Sequence, residues 1–425
     1  MRLNDNVGSP QKPQSPTGEI ALVCDDAATG AAVVAEIAAR GAKAHLHGGS
    51  GRQLAAILGD LVTAEDAVVA VSFAASDDTS DVVAALRALG AAGKAVVVLR
   101  SAPLDGPFGG KADRGVWEAV VGAFGGVAVY SHRALLDVAI HLASQGRRSS
   151  VRAAIITFGG GSGVLATDLC VRYGLETPSP SETTVEKLRM LVPAIASIAN
   201  PFDLTPEMLQ AQWFANFVPA LEVIAADPGI DTLFFQLSAM SRSALDMANA
   251  VADAGERTGA NIAVAWTLGP RDALALLAER GVFAFPEPLR AVEALAAIAG
   301  TEPHTPADDM ATIAIDALLG GFGLGVAEPD AQSGLRIVSR RHPEFGPVIG
   351  CAIGGALGRR LGSEPQFLPA PVTADGARRM LDAMPILKGL AKMDPIDFGA
   401  LSHAVAALSW TATQADYRDV TLALK

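Results

Sequence analysis

The chain has 425 residues, a formal net charge of −12, 50% apolar residues and only 5% aromatics. The acidic balance and the lack of long Lys/Arg runs exclude a footprint for phosphate backbones, so nucleic acid is not an expected partner. Cys24, Cys170 and Cys351 are far apart and odd in number, which excludes a disulfide framework and a Cys-X-X-Cys zinc site and favours a reducing cytoplasm.

The opening "MRLNDNVGSPQKPQSPTG" is polar and rich in Pro and Ser. It carries no signal-peptide core, and residues 1–17 are expected to form a disordered tail. No apolar run reaches the roughly 20 residues of a membrane helix, so no membrane is expected as a partner. From residue 19, short β-branched runs such as "EIALVC", "DAVVAVSF" and "KAVVVLR" alternate with Ala-rich helical stretches. Such runs, apolar on both faces, mark parallel strands covered by helices, and a doubly wound domain is expected over 18–148.

After the basic joint "SQGRRSS" the alternation restarts with "VRAAIITF" and continues through "IDTLFFQL" and "NIAVAWTL" to "EPLRAVEALAAIAG". A second doubly wound domain of the same element order is expected over 151–300. Beyond "TEPHTPADD" the pattern changes. The strand-like "LRIVSR" and "GPVIGCAIGG" precede helical patterns near Thr373 and Asp397, so 310–425 is expected to be a mixed α+β region thin in strands.

Three ordered motifs, "GGGSGVLATD" at 159–168, "ASIANPFDLT" at 196–205 and "VAWTLGPRDALALLAERGVFAFPEPLRAVEALAAI" at 264–298, resemble the NDP-forming acyl-CoA synthetases, the superfamily of ADP-forming acetate–CoA ligase and succinyl-CoA synthetase. Residues 19–148 look like the flavodoxin-like ligase domain that precedes these motifs. There "CDDAATG" replaces the family's Ser-Gln-Ser-Gly-type turn and Gly30 survives. "EFGPV" and Gly354–Gly355 are similar to the second half of the family's ATP-grasp region. The resemblance implies an α/β fold of two tandem flavodoxin-like domains plus a partial ATP-grasp-like region.

The family's chemistry passes a phosphoryl group through a histidine in a Ser-His-Thr-Gly-type loop, because a neutral nitrogen can accept and release it. The matching stretch here, "SAPLDGPFGGKADRG", has no histidine, and Asp77 and Asp78 lie out of register with the carboxylate that orients it. Arg359 stands in "GALGRR" where relatives place a metal or nucleotide glutamate, which speaks against ATP, ADP and Mg²⁺ as ligands. The resemblance therefore implies a CoA or acyl-CoA ligand without a relay. The chain is expected to act as a binding or scaffolding subunit, in a homo- or hetero-oligomer whose other chain supplies the CoA-binding and ATP-grasp parts. An active divergent ligase or acyl transferase subunit and a small-molecule sensor are the alternatives.

The ligand-binding residues expected are Gly159, Gly160, Gly161, Ser162, Gly163, Asn200, Asp203 and Gly30. The glycines read either as a strand–turn–helix corner whose amides face an anion, with Ser162 as helix cap, or as a close packing corner. Phe158 stands where the family has Asn before the glycines. Asn200 and Asp203 flank Pro201 and read either as a latch on the crevice or as turn-forming residues. Cys24, beside Asp25 and Asp26, is disfavoured as a nucleophile because carboxylates disfavour a thiolate. His132 reads as a helix-start residue capped by Ser131, and His45 and His47, alternating on one strand, lack a third metal ligand.

Overall fold

The structure is a computed structural model that describes residues 18–74, 79–101, 110–147, 150–239, 243–299, 334–342, 344–363, 365–392, 396–413 and 418–423. The expected tail at 1–17, and Asp77 and Asp78, lie outside the described residues. Strands β1 (Ile20–Cys24), β2 (Ala44–Gly48), β3 (Val68–Ala74), β4 (Ala95–Ser101) and β5 (Val127–Val129) form one parallel sheet in the order β2-β1-β3-β4-β5. Helices α1 (Ala27–Ala39), α2 (Arg52–Asp60), α3 (Thr79–Ala91), α4 (Gly110–Ala123) and α5 (His132–Gln145) make the crossovers. β3 is buried along six of its seven residues, as a strand with helices on both faces must be.

The second sheet repeats this plan. β6 (Ala153–Thr157), β7 (Phe202–Asp203), β8 (Thr232–Ser238), β9 (Asn261–Thr267) and β10 (Ala284–Phe285) lie parallel in the order β10-β9-β8-β6-β7. Counted within its own domain, each sheet runs 2-1-3-4-5, the flavodoxin-like doubly wound order. Between these strands run α6 (Gly160–Arg172), α7 (Glu182–Leu188), α8 (Ala211–Phe214), α9 (Phe217–Ala225), α10 (Ala244–Thr258), α11 (Arg271–Glu279) and α12 (Pro288–Ile298). The two-residue strand β7 lies inside the stretch expected to be a proline turn. It escapes a period-2 reading because two residues carry no period.

The two sheets share a core. One continuous apolar cluster contains Ile20, Leu22, Val33 and Ile37 from the first unit and Ile155, Ala166, Phe285 and Leu295 from the second. Helix α5 lies at its centre, with Leu135 to Leu142 all buried, a burial pattern that needs protein on every side. Asp137 on α5 is 4% exposed in its side chain and accepts from Arg40 Nη1 at 2.7 Å and from Arg290 Nε and Nη2 at 2.7 and 2.5 Å. Arg40 ends α1 and Arg290 lies on α12, so one carboxylate ties both doubly wound units together.

The last unit is antiparallel. β11 (Gly334–His342), β12 (Gly346–Gly354), β13 (Gln366–Pro369) and β14 (Arg418–Ala423) form a sheet in the order β13-β12-β11-β14. It carries α13 (Gly355–Leu361), α14 (Ala374–Asp382), α15 (Pro385–Ala391) and α16 (Phe398–Thr413). Thr373 caps α14 and Asp397 accepts from the Ala400 amide, as the helical patterns at those positions predict. Phe345, Val348 and Phe367 join the core of the first unit beside Trp117, and Arg100, which donates to Glu344, stacks over Trp117 and Phe345 at 5.5 and 5.1 Å.

Breaking a buried ion pair by deleting one partner leaves uncompensated charge. Asp137→Ala is expected to cost about 3–5 kcal/mol of stability, measured by chemical denaturation. A loss below about 1 kcal/mol, the size of an exposed pair, contradicts the assignment of Asp137 as the tie between the units.

Candidate functional site

In a 2-1-3-4-5 sheet, ligands bind beyond the carboxyl ends of the strands where the chain switches from one face to the other. The molecule has two such places, at β1/β3 and at β6/β8, and each begins with a strand, a short turn and a long helix. The two turns resolve the free amides of their helix starts in opposite ways.

At the first, Asp26 is the N-cap of α1. Its carboxylate accepts from the Ala28 amide at 2.9 Å, the Thr29 amide at 3.4 Å and the Thr29 hydroxyl at 2.7 Å. The Thr29 bonds, with help from the Ala28 amide, hold this carboxyl below its ordinary range. Asp25 Oδ2 accepts from the Ala74 amide at 2.6 Å. The chain's own carboxylates thus occupy the donors an outside anion would need. Gly30 is a packing position, since a Cβ there would lie 2.6 Å from Leu46 Cδ1 and 3.1 Å from Cys24 Cβ.

Cys24 itself is buried. His132 starts α5, with Ser131 Oγ accepting from the Ala134 amide at 3.1 Å as expected, and its Nε2 lies 3.3 Å from Ser72 Oγ. His45 pairs with Glu19 at 2.7 Å rather than with His47, and no group of three metal-ligating side chains occurs among the described residues.

At the second turn no side chain caps the helix. Gly159 is the N-cap of α6, and Ser162 donates its backbone N–H to Gly159 O at 3.1 Å. This corrects the expectation that Ser162 is the cap: the helix starts three residues earlier, because three glycines impose no side chain on the chain's entry into it. The first-turn amides of Gly160 and Gly161 have no carbonyl within the helix to meet. A Cβ on Gly159 or Gly161 would touch nothing within 4 Å, so the turn is open. Gly163 is different: a Cβ there would press on Pro201 Cβ and Thr157 Cγ2, both at 3.1 Å.

Asn200 works inward. Its amide accepts from the Ile155 N–H at 3.0 Å and donates to the carbonyls of Ala153 and Pro178 at 2.8 and 3.0 Å, which fastens the loop to β6. Asp203 works toward the turn. Its Oδ1 accepts from the Thr205 amide at 3.1 Å, while Oδ2 lies 3.4 Å from where a Gly160 Cβ would be.

Strand register completes the site. Asp203 pairs with Thr157, and Thr157 with Gln236, across three adjacent parallel strands. Partners in register face the same side of a sheet, here the side that α6 covers through the Thr157–Gly163 contact. Thr157 and Gln236 are 1% and 6% exposed. Neither belongs to a sequence motif, although a lone Gln inside "TLFFQLS" was the available signal.

The backbone strain of the described residues lies at the same end of this sheet. Thr205, Ala239 and Leu268 follow β7, β8 and β9 and have φ of 59°, 31° and 57°, the molecule's described non-glycine residues at positive φ. Thr205, with ψ 159°, occupies a region open almost to glycine alone. Cys170 and Cys351 offer no nucleophile, since burial pushes Cys170 up to about 12 and moves Cys351 in the same direction.

Two outcomes test this assignment. Gly163→Val is expected to cost about 1–3 kcal/mol by overpacking, while Gly161→Ala is neutral or stabilising by up to about 1 kcal/mol; equal losses in denaturant melts contradict the division between packing and open glycines. The Asp26 cap acts as an ionised group, so its contribution is present above the unfolded carboxyl value of about 3.9 and lost as pH falls through the lower folded value. The stability difference from Asp26→Asn at pH 6 should therefore shrink below about pH 4, and a difference constant with pH contradicts it.

No protein-family model matches the chain. It is 40% identical over 97 residues to an ADP-forming acetate–CoA ligase of Methanocaldococcus jannaschii, covering 22% of this chain and 14% of that protein. It is 27% identical over 189 residues to ADP-forming acetate–CoA ligase I of Archaeoglobus fulgidus, covering 43% of this chain and 26% of that protein. A third relative, the alpha subunit of ADP-forming acetate–CoA ligase I of Pyrococcus furiosus, is 30% identical over 152 residues, or 34% of this chain and 31% of that subunit. The chain thus matches under a third of each of these relatives.

Among solved structures, the dinucleotide-forming acetyl-coenzyme A synthetase 1 of Ca. Korarchaeum cryptofilum shares the fold with a TM-score of 0.55 and 20% identity, over 66% of this chain and 64% of that one. The same enzyme has been solved with phosphate and ADP, and a Pyrococcus horikoshii protein aligns with a TM-score of 0.57. Over the matched stretches the chain is similar to ADP-forming acetate–CoA ligases, and it shares its fold with the acetyl-coenzyme A synthetase.

Proposed function

We propose that the chain is a CoA- or acyl-binding subunit of an acyl-CoA synthetase-type assembly, and that the ligand's anionic group sits at the open turn of the second unit. The observation that carries this reading is the uncapped start of α6 at Gly159–Gly161 above the in-register row Asp203, Thr157 and Gln236. Free first-turn amides at the positive end of a 13-residue helix form a cradle for an anion. Gly160 and Gly161 would hold that anion through their amides, and the thioester or phosphate chemistry would belong to CoA. At the first unit, Asp26 fills the equivalent cradle from within the chain, which directs the ligand to the second.

The chain does not carry its own phosphoryl relay in this reading. The stretch that follows β4, residues 101–115, contains no histidine. Arg359, where the resemblance calls for a carboxylate, is exposed on α13, a poor ligand for Mg²⁺. A partner chain then supplies the nucleotide and CoA-binding parts. Val164 and Leu165 on the first turns of α6 and Leu268 after β9 are 59%, 50% and 83% exposed, apolar surface at the mouth of the crevice that an assembly would cover. Among the described residues, no helix is long and apolar enough to cross a membrane.

Thermal melts of the full chain with CoA, acetyl-CoA, ATP and ADP test the reading. CoA or acetyl-CoA at about 100 times its Kd should stabilise the protein by about 2.7 kcal/mol. ATP and ADP should leave the melt unchanged, and γ-labelled ATP should leave the protein unlabelled. Formation of acyl-CoA from ATP, acid and CoA by this chain alone, or a labelled protein, overturns it.

A further inference from the structure

The first crevice, whose carboxylates close it to anions, holds a different pairing. Ser72 lies near the carboxyl end of β3, in register with Cys24 on β1 and Leu99 on β4. Partners in register share a face of the sheet, and a Cβ on Gly30 would lie 3.1 Å from Cys24 Cβ, so Ser72 is on the face that α1 covers. This is the switch point between β1 and β3, where such sheets bind ligands. Ser72 is 6% exposed and breaks an otherwise apolar strand. A hydroxyl buried to that degree needs a partner. Among the described residues that partner is the ring of His132, the first residue of α5, whose Nε2 lies 3.3 Å from Ser72 Oγ.

The pair has the geometry of a nucleophile and its base. A serine hydroxyl attacks a carbonyl when a neighbouring group takes its proton, and such pairs often stand slightly beyond hydrogen-bond length before substrate binds. His132 is exposed, so its ring can also exchange that proton with a leaving group or with water. Asp26 is close at hand: after the Thr29 hydroxyl and amide and the Ala28 amide, the charge of His132 helps hold its carboxyl down. An imidazolium formed at His132 therefore meets a negative neighbour.

We propose that Ser72 is a catalytic nucleophile and His132 its general base, in a hydrolytic centre that takes short acyl groups from esters and thioesters. Ser72 Oγ bonds to the acyl carbonyl carbon as its proton passes to His132 Nε2. The bond from that carbon to the leaving oxygen or sulfur breaks, and the departing alkoxide or thiolate takes the proton from His132. Water repeats the exchange: it gives a proton to Nε2 and its oxygen bonds to the carbonyl carbon, and the bond to Ser72 Oγ breaks as the proton returns to Oγ. The balance is ester or thioester plus water giving acid plus alcohol or thiol. This centre lies in the first unit and does not rest on anion binding at the open turn of α6.

The full chain is to be incubated with p-nitrophenyl acetate and with the S-acetyl thioester of N-acetylcysteamine, neither of which carries a charge for Asp25 and Asp26 to repel. Release of nitrophenol or thiol and peptide mass spectrometry follow the reaction. The expected result is turnover, with an acetyl group trapped on Ser72. Ser72→Ala should remove both the label and the turnover. His132→Gln, which keeps a hydrogen-bonding side chain but no base, should slow acylation about a hundredfold or more. Where Ser72→Ala fails to fold, Ser72→Cys gives a second reading, with the acetyl group on the new thiol.

A wild-type chain that carries no acetyl group on Ser72 overturns the proposal, whether or not any variant folds. Turnover that survives Ser72→Ala, or acylation at an unchanged rate in His132→Gln, overturns it as well. None of these results bears on ligand binding at the second unit, which the thermal melts test separately.

Discussion

The architecture depends on helix α5. A helix buried on every side cannot carry a bare carboxylate, and Asp137 is tolerated there because guanidinium groups from α1 and α12 reach it from both units. The same packing turns the α1/α5 face of the first sheet toward the α6/α12 face of the second, so one apolar cluster runs through both. One apolar cluster thus joins the two sheets that the chain's alternating pattern presents as successive domains. The antiparallel unit is then added on the opposite face of the first sheet, through Phe345, Val348 and Phe367 against Trp117.

Within these two units, one topology is used twice with different outcomes. Each unit places a helix N-terminus at its switch point, and each helix start must find acceptors for its amides. In the first unit the sequence supplies them as Asp26 and Thr29, and a neighbouring carboxylate, Asp25, takes the Ala74 amide across the sheet. In the second unit the sequence supplies three glycines and no side chain that caps the helix. The negative charge that makes the first turn stable in isolation also makes it unfit for a phosphate, whereas the second keeps its donors free. The concentration of left-handed backbone at Thr205, Ala239 and Leu268 falls on the same unit, where backbone strain commonly accompanies a site that works.

Much of this was legible in the residues. Runs of Val, Ile, Leu and Ala name the inner strands β1, β3, β4, β6 and β9, because strands covered on both faces leave no polar alternation to confuse them with surface helices. Ser131, Thr373 and Asp397 announce their helices through side chains that bond the first turn. Other features were out of reach. β7 is two residues long and is held in place by Asn200, whose three bonds run to backbone groups more than twenty residues away. Ser162 has the chemistry of a cap but loses that place to Gly159, since a glycine enters the helix without a side chain to accommodate. Gln236 and Thr157 join Asp203 only through pairing between strands, a relation that no spacing along the chain encodes.

The row of Asp203, Thr157 and Gln236 exists because three strands are in step, and that has an evolutionary consequence. Side chains alternate faces along a strand, so inserting or deleting one residue between Asn200 and Asp203 would send the carboxylate to the opposite layer while leaving every motif recognisable. Relatives that keep the glycine turn but change the length of that short segment would share the fold and not the chemistry of the crevice. Length conservation over 200–205, more than residue identity, is therefore the trait by which descendants of this site can be told from mere bearers of its scaffold.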